Sequence, residues 1–206
     1  MSSDSPSPRP PLPVIPALAE HRLWLTFDDG PHQTRTPALL DILRAAKLTA
    51  TFFVVGARAA HQPDLLGRMV AEGHRVGNHS YSHARLTGLD EAAIRREIAL
   101  TDAVIAPFTG PDKLFRPPFG ASDARVERAA AALGYRTVLW TLDPEDWRQP
   151  PPVPGWVADS LAGLARQSSS VLLLHDTHRT TIDQFAAFAT AMLATPGVAP
   201  QPAASL

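Results

Sequence analysis

Two stretches of this 206-residue chain put side chains of reactive type close together. The first is Asp28-Asp29, delivered by the run Leu23-Trp24-Leu25-Thr26-Phe27 and stopped at once by Gly30-Pro31. Neighbouring carboxylates repel each other and resist desolvation, so both stay ionised only beside a cation or strong donors. Gly30 permits a sharp turn and Pro31 fixes the exit, which holds the pair in place. The second stretch is His79-Ser80-Tyr81-Ser82-His83. Its two imidazoles stand four apart, a spacing that on a helical turn puts both on one side, able to share a metal. Two histidines and a carboxylate, with positions open for water, suit a catalytic metal rather than a structural one.

The elements that must position these groups follow from hydrophobic patterning. Short apolar runs predict strands at 22–27, 50–55, 75–78, 113–116, 136–142 and 171–174. Helical spacing predicts helices at 63–72, 90–105, 123–133, 157–166 and 182–193, and another that opens with Thr36 as N-cap and Pro37 as its first residue. Strands alternate with helices and are continuously apolar rather than alternating, which favours a parallel sheet covered by helices. The reactive residues Asp28-Asp29, Asn78-His79, Arg116, Asp143 and His175 each fall just after a strand end. A (β/α) barrel collects such ends on one face, whereas an open doubly wound sheet gathers them only near a switch point. The expected fold class is therefore α/β, a single-domain (β/α) barrel.

Composition narrows the chemistry. The chain is 45% hydrophobic and 19% charged, ordinary values for a globular protein, and its net charge of -1 gives no electrostatic reason to expect nucleic acid as partner. With no cysteine, disulfides and thiolate sites are excluded, so any metal must use His and carboxylate. No apolar stretch is long enough to insert in a membrane. Residues 1–20 are Pro- and Ser-rich and read as a flexible or extended lead-in. They lack the basic and then apolar pattern of a signal peptide, so the expected location is cytoplasmic, with export still open should a leader precede the sequence. Residues 194–206 read as a flexible tail.

Five motifs in order resemble those of the polysaccharide deacetylase family, also described as the NodB-homology domain or carbohydrate esterase family 4. They are Thr26-Phe27-Asp28-Asp29-Gly30-Pro31, His79-Ser80-Tyr81-Ser82-His83, Arg116-Pro117-Pro118-Phe119-Gly120, Asp143-Pro144-Glu145-Asp146-Trp147 and Leu173-Leu174-His175-Asp176. The resemblance covers residues 21–193 and implies a distorted (β/α) barrel, in accord with the strand-end pattern.

By position, the resemblance implies that Asp29, His79 and His83 hold a divalent metal, with Zn²⁺ as the default and Co²⁺ or Ni²⁺ as acceptable substitutes. It implies that Asp28 is the general base, that Arg116 pairs with it, and that the backbone N–H of Phe119 is an oxyanion donor. His175 resembles the general acid. Asp143 is its favoured partner, with Asp146 as the rival. Trp147 and Leu173 resemble the pocket for the acetyl methyl group. His21, His32, His61, His74 and His178 are read as structural, although His178 lies close enough to the fifth motif to line the cleft.

The implied activity is metal-dependent removal of acetyl groups from N-acetylglucosamine-containing oligo- or polysaccharides. The alternatives are an O-acetyl xylan ester or a small non-sugar amide as substrate, or a catalytically silent carbohydrate-binding relative. Phe119 stands where the family often has Tyr, and Ala84 where it often has Pro. The Pro-rich run 148–154 is expected to form a stiff loop that shapes the substrate groove.

Overall fold

The structure is a computed structural model that describes residues 20–148 and 155–206. Residues 1–19 and 149–154 lie outside it, and with them the lead-in and nearly all of the Pro-rich loop read from the sequence.

Strands and helices follow one another as β1 (His21–Asp28), α1 (Arg35–Ala46), β2 (Ala50–Val54), α2 (Gly56–Ala59), α3 (Pro63–Ala71), β3 (Arg75–Asn78), α4 (Glu91–Ile105), β4 (Lys113–Phe115), α5 (Ala124–Ala132), β5 (Tyr135–Thr137), α6 (Trp156–Leu164), β6 (Ser169–His175), α7 (Arg179–Leu193) and β7 (Val198–Pro200). The sheet runs β5-β4-β3-β2-β1-β6, with β7 added on β1. Every pairing is parallel. Parallel neighbours need crossover connections, and the helices supply them. The result is a curled, incomplete barrel with all strand C-termini at one end. Among the described residues no helix is long and apolar enough to cross a membrane.

Period-2 alternation divides β1 between two environments. Leu23, Leu25 and Phe27 are fully or almost fully buried in the cluster that includes Leu39, Leu40 and Leu43 of α1 and Phe185, Phe188 and Met192 of α7. Thr26 and Asp28 face the other way, into the barrel, where both accept hydrogen bonds from Arg116. Phe53, Leu114 and Val138 form a small apolar cluster of their own, and Arg116 Cζ lies 4.1 Å from the Phe53 ring centroid. The strand that carries the carboxylates is thus anchored by its helix-facing side, which leaves its barrel-facing side available for polar groups.

Three expectations about elements are corrected. The run 136–142 is not one strand: β5 ends at Thr137, Val138 N–H still donates to Phe115 C=O of the β4 edge, and Leu142 pairs with Leu172 of β6. One apolar run serves two partners, the β4 edge at its start and β6 at its end. Residues 194–206 do not form a free tail. They contain β7, paired with His21–Leu23, and end with Trp24 Nε1 donating to Ser205 Oγ at 3.0 Å. Finally, Thr34 rather than Thr36 occupies the N-cap of α1. The Thr36 hydroxyl is used inside the fold: it accepts from His32 N–H at 2.7 Å and donates to buried Asp176.

Candidate metal and acid–base site

Asp29 follows directly from the end of β1, with φ at +76°. Its carbonyl accepts from Arg58 Nη1. Behind the turn, Gly30 is packed against the Asp176 carboxylate, leaving no room for a Cβ. The Asp29 carboxylate lies 3.0 Å from His83 Nε2 and 3.4 Å from His79 Nε2. Ligand atoms of these three residues all fall within 4.8 Å of one another.

The histidines reach this point from a loop. The expected helical turn is absent: Ser80 and His83 both stand at positive φ, +62° and +61°, and the segment after β3 has no helical turn before Leu86. Side chains impose that path. Asn78 Oδ1 accepts from Ser80 N–H at 2.9 Å while its Nδ2 donates to Ile98 C=O. Glu97 of α4 accepts from the N–H groups of Tyr81 and Ser82 and from the Ser82 hydroxyl, all within 2.9 Å. Ser80 Oγ accepts from His83 N–H. Nothing in the motif spacing identifies Glu97, because it acts on backbone from a helix fourteen residues past His83.

The donor set fits a divalent metal. His79 Nδ1 lies 2.7 Å from Arg116 C=O, and a carbonyl only accepts, so Nδ1 donates there and Nε2 is the ring atom turned toward Asp29. That is the second-shell arrangement common to metal-binding histidines. Burial alone would raise the Asp29 pKa, but hydrogen bonds to His79 and His83 overcome it and hold the carboxyl well below the usual carboxylate range. An ion bound among them at the usual bond length of about 2.0–2.2 Å would meet two nitrogens and an ionised oxygen, the donors that suit Zn²⁺.

Asp28, 3% exposed, lies beside this set. Its Oδ1 accepts from Arg116 Nη1 at 2.8 Å, and its Oδ2 is 3.6 Å from His79 Nε2. Arg116 is wholly buried, and its remaining donors reach Thr26 Oγ1 and the Val138 and Leu139 carbonyls. A buried cation satisfied in this way fixes the neighbouring carboxylate in position.

Across the pocket, His175 ends β6. Its Nδ1 lies 2.7 Å from Asp146 Oδ1, and its N–H donates to Asp146 Oδ2 at 2.8 Å. A carboxylate only accepts, so Nδ1–H donates and Nε2 is left for the pocket. Asp146 is 1% exposed and is also held by the Thr181 hydroxyl. Burial opposes a charged ring. Even so, the Asp146 carboxylate, with the charges of Asp28 and Asp29, pushes the His175 pKa up to about 9. The favoured sequence assignment of Asp143 as partner is therefore corrected to Asp146. Asp143 precedes a turn and accepts from Glu145 N–H, whereas three residues on the chain has dipped under β6, where a carboxylate is buried and fully bonded.

A pocket of about 410 Å³ joins the two halves, with Asp28, Asp29, His79, His83 and His175 in its wall. Its apolar side is Phe119, Trp147, Leu173 and Trp140, the last not picked out from the sequence. Trp140 belongs there because Gly120 lets the third-motif turn close onto its ring, where a Cβ would clash. Asp143 and His178 complete the lining. The His178 and His175 ring centroids are 5.4 Å apart. Phe119 has φ at +61°. The hydrogen bonds of its turn run from Gly120 N–H to Pro117 C=O and from Ala121 N–H to Pro118 C=O, so the Phe119 N–H takes no part in them.

Comparison with known proteins adds independent weight. The family model described as Polysaccharide deacetylase matches residues 17–138. That match ends before Asp146 and His175, whose placement rests on the geometry. A chitooligosaccharide deacetylase of a Bradyrhizobium species is 38% identical over 157 residues, covering 75% of this chain and 70% of that protein. A peptidoglycan-N-acetylglucosamine deacetylase of Listeria monocytogenes is 37% identical over 174 residues, 82% of this chain, but this spans only 36% of the Listeria protein. Among solved structures, a family 4 carbohydrate esterase from Streptomyces lividans in complex with acetate superposes with a TM-score of 0.78 at 34% identity, covering 89% of this chain and 93% of that one.

Proposed function

The chain belongs to the polysaccharide deacetylase family, and from that premise we propose that it hydrolyses the N-acetyl group of N-acetylglucosamine-containing oligo- or polysaccharides with a divalent metal, Zn²⁺ by default. The carrying observation is the single pocket that holds the Asp29, His79 and His83 set between Asp28 clamped by Arg116 and His175 backed by Asp146. These are the parts an amide hydrolysis needs, on opposite sides of one cavity.

When bound, the ion would lower the pKa of a water and polarise the acetamide carbonyl. Asp28 takes the proton from the attacking water, and Arg116 keeps that carboxylate oriented for it. The Phe119 N–H donates to the carbonyl oxygen as negative charge builds on it. His175 enters charged, because Asp146 holds its proton to about pH 9, and delivers it from Nε2 to the departing amine. Leu173 and Trp147 enclose the acetyl methyl group on the apolar wall.

Acetate release by Zn²⁺-loaded protein tests this reading. The panel comprises N-acetylglucosamine oligomers, peptidoglycan fragments, acetylxylan and an aryl acetamide, each with a chelator control. Chelator-sensitive release from the aminosugar substrates is the expected result. Release from acetylxylan or the aryl acetamide alone reassigns the substrate, and no release with metal bound rules out the enzyme.

A further inference from the structure

Arg85 lies just past the metal-ligating loop and is exposed. Its Cζ sits 4.8 Å from the centroid of the Phe119 ring. Phe119 in turn lines the pocket, is 56% exposed, and packs edge-on against the His83 ring at 4.7 Å. A guanidinium is therefore mounted two ring contacts from the metal-ligand set. Seated over an aromatic ring, a guanidinium can still offer its N–H donors to a planar anion.

No anion among the described residues takes those donors. Among the described residues Arg85 has no ion pair and no side-chain hydrogen bond. The carboxylates of neighbouring turns are committed elsewhere: Asp90 caps α4 at Ala93 N–H, Asp123 is paired with Arg125, and Glu127 accepts from Ser122 and Thr137. Other arginines around the pocket are also occupied. Arg116 is buried on Asp28, while Arg58 and Arg35 donate to the carbonyls of Asp29 and Thr177. Arg85 is thus a cation seated on a pocket-lining ring, with donors that no described residue takes.

We propose that Arg85, seated on Phe119, is a specificity determinant that binds a carboxylate carried by the glycan beside the reacting aminosugar, so that acidic N-acetylated glycans are preferred over neutral ones of equal length. This rests on the deacetylase reading and deepens it. A planar carboxylate is the anion that a guanidinium edge matches with two parallel hydrogen bonds. A lactyl ether chain on an alternating aminosugar polymer carries one.

The test compares an N-acetylglucosamine tetramer with a tetrasaccharide in which N-acetylglucosamine alternates with lactyl-ether-bearing aminosugars whose carboxylates are free. The selectivity, kcat/KM for the acidic over the neutral glycan, is measured for the wild type and for Arg85→Ala, Arg85→Glu and Arg85→Lys at low and high salt. Arg85→Ala should lower the selectivity about three- to fivefold, the size of one exposed ion pair. Charge reversal in Arg85→Glu should lower it further, with the loss carried by KM, and Arg85→Lys should keep most of it. The wild-type preference should shrink with salt through screening. Selectivity that is constant across the variants, or an equal kcat loss on both glycans, overturns the assignment and reduces Arg85 to a brace for Phe119. Calorimetric binding of the same glycans to Asp28→Asn and to Asp28→Asn/Arg85→Ala reads the same preference without turnover. A protein that binds the acidic glycan through Arg85 and releases no acetate would overturn the deacetylase reading alone.

Discussion

Asp29, Ser80 and His83 all stand at positive φ, whereas His175, across the pocket, ends a regular strand paired residue by residue with β1 from Ser169 onward. Positive φ for a residue other than glycine costs on the order of 1–3 kcal/mol and persists only where the surroundings over-determine it. On the metal side they do so with side chains bonded to backbone: Asn78 to Ser80, Glu97 to Tyr81 and Ser82, and Ser80 to His83. On the acid side His175 itself carries no such strain, and the left-handed residue there is Glu145 (φ +54°), in the turn that delivers Asp146. There a strand supplies the position, and one buried carboxylate, Asp146, supplies the charge state. Coordination depends on where atoms are to a fraction of an ångström, while proton delivery depends on pKa. Each half of the site invests in the quantity that its chemistry requires.

If that division holds, mutations on the two sides should separate by what they damage. The largest effects belong to the metal side. His79→Ala should lose both metal and turnover, and elemental analysis showing undiminished metal would refute the ligand assignment. Asp28→Asn, at the boundary between the halves, should keep its metal while turnover falls roughly a hundredfold or more; near-wild-type turnover would remove Asp28 from the role of base.

Glu97→Ala touches neither ligand nor substrate, yet should weaken metal affinity by about tenfold, the lower end of what outer-shell changes cost. A chelator competition titration measures it. Unchanged affinity would show that the loop holds its path without the Glu97 clasp.

Asp146→Asn should leave metal affinity alone and act on pH dependence. In the folded protein the His175 pKa is raised, so the charged acid is present below about 9 and activity is lost as pH rises through that value. Without the Asp146 charge the basic limb should move to lower pH by about one unit or more. A pH–rate profile with an unmoved basic limb would disconnect Asp146 from the acid.

The smallest effect lies beneath the metal loop. Asp176 is fully buried, and burial pushes its carboxyl from 3.8 up to about 7. A carboxyl raised in the folded state contributes stability while it is protonated and loses it as pH rises toward the folded pKa. Wild-type stability relative to Asp176→Asn, from denaturant midpoints, should therefore fall between about pH 4 and pH 7. A difference that is flat across this window would show that Asp176 is ionised throughout.

The five motifs were legible because their chemistry is local. Adjacent carboxylates before Gly30-Pro31, a histidine pair, and Arg116 and His175 just past apolar strands can each be read within a few residues, and strand-end placement follows from alternating strands and helices. What failed to read depended on distant contacts. Asp143 and Asp146 are three apart in one Pro-containing turn, and only the course of that turn under β6 decides which reaches His175. Glu97 and Trp140 carry no motif of their own. The apparent strand 136–142 has the composition of one strand and the partners of two.

From the sequence alone came the parallel α/β architecture, since strand-end position is a local property, and, through the family that its five motifs resemble, the reaction class and most of the groups now seen to line the pocket. Only the tertiary structure decided how those groups are held: the left-handed metal loop clasped by Glu97, Asp146 under His175, the tail paired to β1, and Arg85 mounted on Phe119. Each joins segments far apart in the chain. Such pairings follow from how the whole barrel packs, which no window of local spacing encodes.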